Sequence, residues 1–260
     1  MNKDYIVILT DPLYFPQKTV QLAELLATGF QKKICFLSVV GNEKDAEQAK
    51  NSFESWNTAQ PNNAFCKSVN KPLEELPDIL EQMEAAFLII ELAPDSCYSK
   101  VQPMLNVCRP LRIPYIFVKS EMDKISLQQI LVPVGFLVEE KEKGIFASKL
   151  ARFCGSEITF LQSKDYGSRA ARSIDQIKTI FDKLALECSV LQGNKDSFTI
   201  QKEAGLRASM GEADLVIITS SREYGLDDIF FGPQERKIIT SSQVPVMVLN
   251  PRTDLYVLCD

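Results

Sequence analysis

ADLVIITSSREYGLDDIFFGPQERKIITSSQVPVMVL, residues 213–249, decides how the chain is read. Leu215 to Ile218 is a short continuous apolar run, the pattern of a strand buried on both faces. Ser220 to Gly232 is a polar loop with Gly225 inside it. Gln234 to Ser241 has helical spacing, and Val244 to Leu249 is a second β-branched run around Pro245. Strand, glycine-bearing loop, helix and strand make a βαβ unit. The loop before its helix is where a phosphate group would sit, because helix N-terminal N–H groups point there.

Outward from this stretch the chain reads as strands alternating with helices. Tyr5–Leu9 is a buried strand, followed by a loop punctuated by Pro12 and Pro16 and a helix over Val20–Phe30. Ile34–Val39 is a strand, and residues 41–60 are helical with Ala46, Ala49 and Phe53 on one face. Trp56 in that segment reads as a packing anchor rather than a ligand platform. A short strand at Phe65–Ser68, a helix over Leu73–Ala86, a strand at Phe87–Leu92, a short helix at Val101–Val107 and a strand at Ile113–Val118 complete the first half. This order predicts a parallel, doubly wound sheet.

The chain then repeats itself. ILVPVG at residues 130–135 answers IVILTD at residues 6–11. An advance of 124 positions carries Ala23, Leu26 and Ala27 onto Ala147, Leu150 and Ala151. The same advance carries Ile34, Phe36 and Leu37 onto Ile158, Phe160 and Leu161. Ala86 and Pro114 answer Ala213 and Pro245. A repeat of this length is a whole domain, and the boundary falls in the polar segment 120–129. The expected organisation is one domain over residues 1–120, a second over 128–250, and a tail over 251–260 that adds a strand or packs on a partner. Glu203–Ala213 reads as the helix before the fourth strand of the second domain, and the run EEKEK at 139–143 as a solvated face.

Residues 213–249 resemble the C-terminal half of a universal stress protein domain. The resemblance implies two tandem Rossmann-like domains of the HUP, or adenine nucleotide α-hydrolase-like, fold, each with a five-stranded parallel sheet. Nucleotide-binding members of that family carry G-x2-G-x9-G-[ST] between their fourth strand and last helix. Setting Gly232 as the last glycine places Val244-Pro245-Val246 where the family has Cys-Pro-Val. The remaining motif positions fall on Thr219, Arg222 and Pro233, and Gly225 matches a further glycine of that loop. The family aspartate that contacts the base, after strand one, matches Asp11 in the first half and is replaced by Gly135 in the second.

The loop substitutions have a physical meaning of their own. Phosphate-loop glycines let the backbone take positive φ and bring its N–H groups against the ligand. Thr219 and Arg222 put side chains there, and Pro233 offers neither N–H nor hydroxyl. Arg222 can offer its guanidinium to a phosphate, though a solvated loop arginine is the blander reading. From Ala86 to Pro114 is 28 positions and from Ala213 to Pro245 is 32, and 92–107 contains no glycine, so the first half has no phosphate loop. Asp11, followed by proline at a strand end, is equally a turn cap. Ser220 and Ser221 more often satisfy loop backbone than bind an anion.

Composition closes off several functions. The 260 residues are 45% hydrophobic and 24% charged with a net charge of −5, and there is no histidine. Ser–His and Cys–His nucleophilic machinery therefore cannot be built. The net charge argues against a dedicated nucleic-acid surface, and no apolar run is long enough to span a membrane. Seven dispersed cysteines without a CxxC pair fit a reducing compartment and make a zinc site improbable.

The expectation is a non-catalytic stress-response or regulatory protein of the cytoplasm, not an enzyme, with nucleotide binding weak or lost and no cofactor or metal. The alternative is an ATP- or AMP-binding module with at most slow ATP hydrolysis, using Asp11 or the loop bearing Thr219, Arg222, Gly225 and Gly232. A true enzyme of the wider fold group would need a glycine- and serine-rich loop after strand one, where the chain reads DPLYFPQ. Family members commonly associate through their last strands. The resemblance therefore implies an intrachain pseudo-dimer through Ile113–Val118 and Val244–Leu249, with a homodimer left open, and no nucleic-acid or membrane partner. Protein partners are not specified.

Overall fold

A computed structural model describes residues 4–59, 64–137, 139–221 and 233–252. It separates into two compact units, Met1–Ile125 and Ser126–Asp260. In the first unit the strands are β1 (Tyr5–Leu9), β2 (Lys33–Val40), β3 (Ala64–Asn70), β4 (Ala85–Leu92) and β5 (Tyr115–Lys119). They pair in parallel in the order β3-β2-β1-β4-β5. Helices α1 (Gln17–Phe30), α2 (Glu43–Ala59), α3 (Leu76–Gln82) and α4 (Val101–Cys108) make the crossovers that parallel neighbours require.

The second unit repeats the plan. Its strands are β6 (Gln129–Val134), β7 (Glu157–Gln162), β8 (Ser189–Gln192), β9 (Leu215–Thr219) and β10 (Val246–Leu249). They run parallel in the order β8-β7-β6-β9-β10. Its helices are α5 (Glu140–Cys154), α6 (Arg169–Lys183), α7 (Ile200–Arg207) and α8 (Gln234–Ser241). In both units the strand order reverses beside the first strand, so the crevice at the carboxyl ends of β1 and β4, and of β6 and β9, is the fold's natural ligand position.

The repeat is a repeat of core positions. Ala23 and Ala147, Leu26 and Leu150, Ile34 and Ile158, Phe36 and Phe160, and Leu37 and Leu161 are all buried. Trp56 anchors packing as expected, with its ring 5.0 Å from Phe36 and 5.5 Å from Phe15. The central strands β1 and β4 are buried almost end to end, as their apolar sequences require, with Glu91 the one acid inside β4.

Three expectations need correction. The helix read over Leu73–Ala86 is a 3₁₀ turn at Leu73–Glu75 followed by α3, which stops at Gln82. Glu84 takes a left-handed φ of 54°, and Ala85 and Ala86 open β4 as buried strand residues. The helix read over Glu203–Ala213 begins at Ile200, passes into a π turn at Ala208–Glu212, and ends where Gly211 takes φ 92°. Only glycine enters that region without strain, and its position fixes the entry to β9.

The third correction concerns EEKEK, which is not a solvated face. Glu139, Glu140, Glu142 and Lys143 are buried in the first turns of α5, with Lys143 fully enclosed. Lys143 Nζ lies 2.6 Å from Glu140 Oε2 and donates to the Pro133 carbonyl. Pro133 explains why. It lies within a central strand with no N–H to give, and β6 pairs with β9 only at Ile130 and Leu131. Val134 O accepts from Ser163 on the β7 side, so the Pro133 carbonyl faces the β9 side, and the lysine takes up its hydrogen bond.

Among the described residues no helix is long and apolar enough to cross a membrane. The tail beyond Arg252 lies outside the described residues, and so does any strand it adds.

Candidate functional site

In the first unit the crevice at the carboxyl end of β1 is held shut by two buried carboxylates. Asp11 follows β1 and is 6% exposed. Its Oδ1 accepts the Leu13 N–H at 2.7 Å, the turn-capping contact that an Asp-Pro pair suggests. Its Oδ2 accepts the Cys97 N–H at 2.6 Å and the Ser96 hydroxyl at 3.2 Å. Ser96 and Cys97 belong to the short loop between β4 and α4. The residue aligned with a base contact and the loop aligned with a phosphate cradle thus bind each other.

The second carboxylate is Glu91, near the end of β4 and 3% exposed. Its Oε2 accepts the Thr19 N–H of the first turn of α1 at 2.8 Å, and its Oε1 accepts the Tyr14 hydroxyl at 2.7 Å. A helix N-terminus stabilises an anion through its unpaired N–H groups, and here the anion is a side chain of the protein. Sequence reasoning missed Glu91. The one available signal was an acid inside the otherwise apolar run AAFLIIEL.

The two acids titrate in opposite senses. Burial alone would raise Asp11, but the N–H groups of Cys97 and Leu13 and the Ser96 hydroxyl outweigh it and hold its pKa below the usual aspartate value. Burial dominates at Glu91 and raises its pKa despite donation from Tyr14 and the Thr19 N–H. Asp11 therefore adds stability above its unfolded pKa and loses it as pH falls through the folded value. Glu91 adds stability that is complete below its unfolded pKa and is lost as pH rises through the folded value. Denaturation midpoints between about pH 3 and pH 8 are expected to show the acid-side loss flattened in Asp11→Asn and the decline at higher pH flattened in Glu91→Gln. Parallel pH profiles for wild type and both variants would refute this.

Cys97 is not a nucleophile in this setting. Although Cys97 is exposed as a residue, partial desolvation of its sulfur and the adjacent Asp11 push its thiol up to about 12, so it is protonated at neutral pH.

In the second unit Thr219 ends β9. Its N–H is taken by Gln201 Oε1 at 2.7 Å, and its buried hydroxyl has no hydrogen-bond partner among the described residues. Ser220 bonds through its hydroxyl to Asn250 Oδ1 at 2.8 Å and through its N–H to the Leu249 carbonyl. Ser221 gives both its N–H, at 3.1 Å, and its hydroxyl, at 3.0 Å, to the Glu235 carboxylate. Glu235 lies in the first turn of α8 and is 2% exposed. Pro233 caps that helix without a side-chain hydrogen bond. The start of the last helix, where a phosphate would be held, carries an internal carboxylate bonded to the loop after β9. Arg222, Gly225 and Gly232 lie outside the described residues.

At the end of β6, Gly135 leaves a space that Ser197 fills. A Cβ on Gly135 would lie 2.7 Å from Ser197 Oγ. That hydroxyl accepts the Phe136 N–H at 2.9 Å, lies 2.9 Å from Ser163 Oγ and donates to Asp165. Asp165 also takes the Ser163 hydroxyl at 2.5 Å and the Ser197 N–H at 2.9 Å. Restoring the family aspartate with Gly135→Asp is expected to cost about 1–3 kcal/mol through overpacking, with no gain in ATP affinity. Urea denaturation and an ATP titration of the variant test both halves of that expectation.

No family model and no curated protein matches the sequence. Solved structures do. A universal stress protein from Archaeoglobus fulgidus aligns over 97% of this chain and 98% of its own with a TM-score of 0.70 at 17% identity. The fold is that of a two-domain universal stress protein. A second match, to a putative universal stress protein from Pseudomonas aeruginosa UCBPP-PA14, covers 95% of this chain and 92% of that one at TM-score 0.64 and 15% identity. The cytoplasmic domain of a prokaryotic cation chloride cotransporter also aligns, over 95% of both chains at TM-score 0.57 and 12% identity. The universal stress protein fold thus serves more than one purpose, and function has to be argued from the crevices.

Proposed function

We propose that the chain is a non-catalytic, cytoplasmic stress-response or regulatory protein whose nucleotide affinity is weak or lost. The observation that carries this reading is the Glu235 carboxylate, buried at the start of α8 and bonded to Ser221. A phosphate entering there would meet a buried negative charge instead of free N–H groups, which opposes binding. In the first unit Asp11 holds the Cys97 N–H of the loop before α4, and Glu91 holds the Thr19 N–H at the start of α1. The lack of histidine rules out Ser–His and Cys–His machinery, and the raised Cys97 thiol opposes a thiolate nucleophile at the first crevice, in keeping with a non-catalytic protein.

One group favours the alternative of an ATP- or AMP-binding module, the unpartnered hydroxyl of Thr219. Isothermal titration with ATP, with and without magnesium, separates the two. No heat up to millimolar ATP is the expected result. Micromolar binding that is lost in Thr219→Val would establish the alternative.

A further inference from the structure

We infer that the outer face of α5 is a docking surface for the chain's own residues 253–260. Glu142, Ile145, Phe146, Lys149, Arg152 and Phe153 follow one another along α5 at spacings of three and four residues and therefore share one face. Lys143, Ala147 and Leu150 are buried on the other. On the shared face Ile145 is 43% exposed, Phe153 is 47% exposed and Phe146 is half-buried. Lys149 Nζ lies 4.9 Å from the Phe146 ring centre, and the Arg152 guanidinium lies 5.6 Å from that of Phe153. The helix thus presents a stripe of apolar side chains with cations between them, where an ordinary surface helix carries polar groups.

The chain itself arrives at one end of this stripe. The Arg252 N–H donates to Glu142 Oε1 at 3.2 Å, which brings the backbone after β10 to the first turn of α5. Residues 253–260 read TDLYVLCD, an apolar run from Leu255 to Cys259 between Asp254 and Asp260. Eight residues reach up to about 26 Å at about 3.3 Å each, whereas α5 from Glu142 to Phe153 is about 17 Å long at about 1.5 Å per residue. The segment is long enough to follow the stripe to its end.

The two segments match in charge as well as in length. Residues 144–154 hold two cations, Lys149 and Arg152, and no acid. Residues 253–260 hold two acids, Asp254 and Asp260, and no cation. Apolar side chains meet apolar side chains, and each acid finds a cation. Tethering favours this occupant over the same segment of a second copy, because a short link to Glu142 supplies a high effective concentration without a bimolecular encounter. The stripe shares no residue with the carboxylate contacts that close the crevices, so the inference stands whether or not ATP binds.

The test places the photo-reactive residue p-benzoylphenylalanine at Tyr256 of the full chain, irradiates the protein at low micromolar concentration, and maps the product by mass spectrometry. The expected product joins position 256 to residues 142–153 of the same chain and migrates as a monomer. Lys149→Glu/Arg152→Glu is expected to lower its yield about fivefold, since both attractions become repulsions at exposed sites. Adding Asp254→Lys/Asp260→Lys is expected to restore the yield, which a change in helix stability alone would not do. Circular dichroism checks that each variant is folded. Capture of another segment, a cross-linked dimer, absence of any product, or a yield indifferent to charge reversal would overturn the inference.

Discussion

Phe36→Ala is expected to destabilise the first unit by about 3–5 kcal/mol, the cost of removing a fully buried aromatic ring and leaving a cavity. Phe36 lies on β2 with no exposed surface. It packs against Phe15 at 5.6 Å, Phe53 at 5.1 Å and Trp56 at 5.0 Å. Phe53 and Trp56 lie on α2 and Phe15 in the loop before α1, so the cavity cannot close by moving one ring alone. Trp56 is the protein's single tryptophan, so its fluorescence reports this cluster alone. Urea denaturation followed at Trp56 should show a lower midpoint and redder native emission. A midpoint shift worth less than about 1 kcal/mol would mean that the cluster relaxes and is not a rigid anchor.

Lys143→Met is expected to cost a similar amount in the second unit, about 3–5 kcal/mol, through a different term. The substitution fills the same space but leaves the buried Glu140 carboxylate without its cation and the Pro133 carbonyl without its donor. Removing one partner of a buried pair strands a charge, whereas removing both can be nearly neutral. The double variant Glu140→Gln/Lys143→Met should therefore recover much of the loss. Circular dichroism during urea denaturation measures both. A double variant less stable than Lys143→Met would show that the pair is not the source of the effect.

Much of the fold was legible because its strands are uniformly apolar and its repeat is dense. Tyr5–Leu9 and Gln234–Ser241 coincide with β1 and α8, and the 124-residue advance links positions that are buried in both units. What escaped was polar burial. EEKEK carries the composition of a solvated helix face, and nothing local says that β6 contains a carbonyl needing a donor. That requirement comes from Pro133 and the ladder it interrupts, which is a tertiary fact. Helix ends escaped for a related reason. Ala85 and Ala86 suit helix or strand, and the left-handed turn at Glu84 decides.

The crevice residues divide in the same way. Asp11 was singled out from its place after strand one and Thr219 from the register of the loop motif. Asp11 takes the turn-capping role weighed for it and also ties β1 to the β4–α4 loop, a contact that sequence reasoning did not suggest. Glu91 and Ser197 were not found because each acts on a residue distant in sequence, and Glu235 because its partner Ser221 lies at the far end of the loop before its helix. Residue types show what a loop has lost. They do not show what has moved in to replace it.

The most direct test is a two-dimensional amide correlation spectrum of the isotope-labelled protein titrated with ATP and magnesium. The account predicts that the amides of Leu13, Thr19, Cys97 and Ser221 stay in place up to millimolar ATP, because internal groups already hold them. Saturable shifts at Ser221, or at Thr19 and Cys97, would contradict it by showing phosphate displacing a carboxylate.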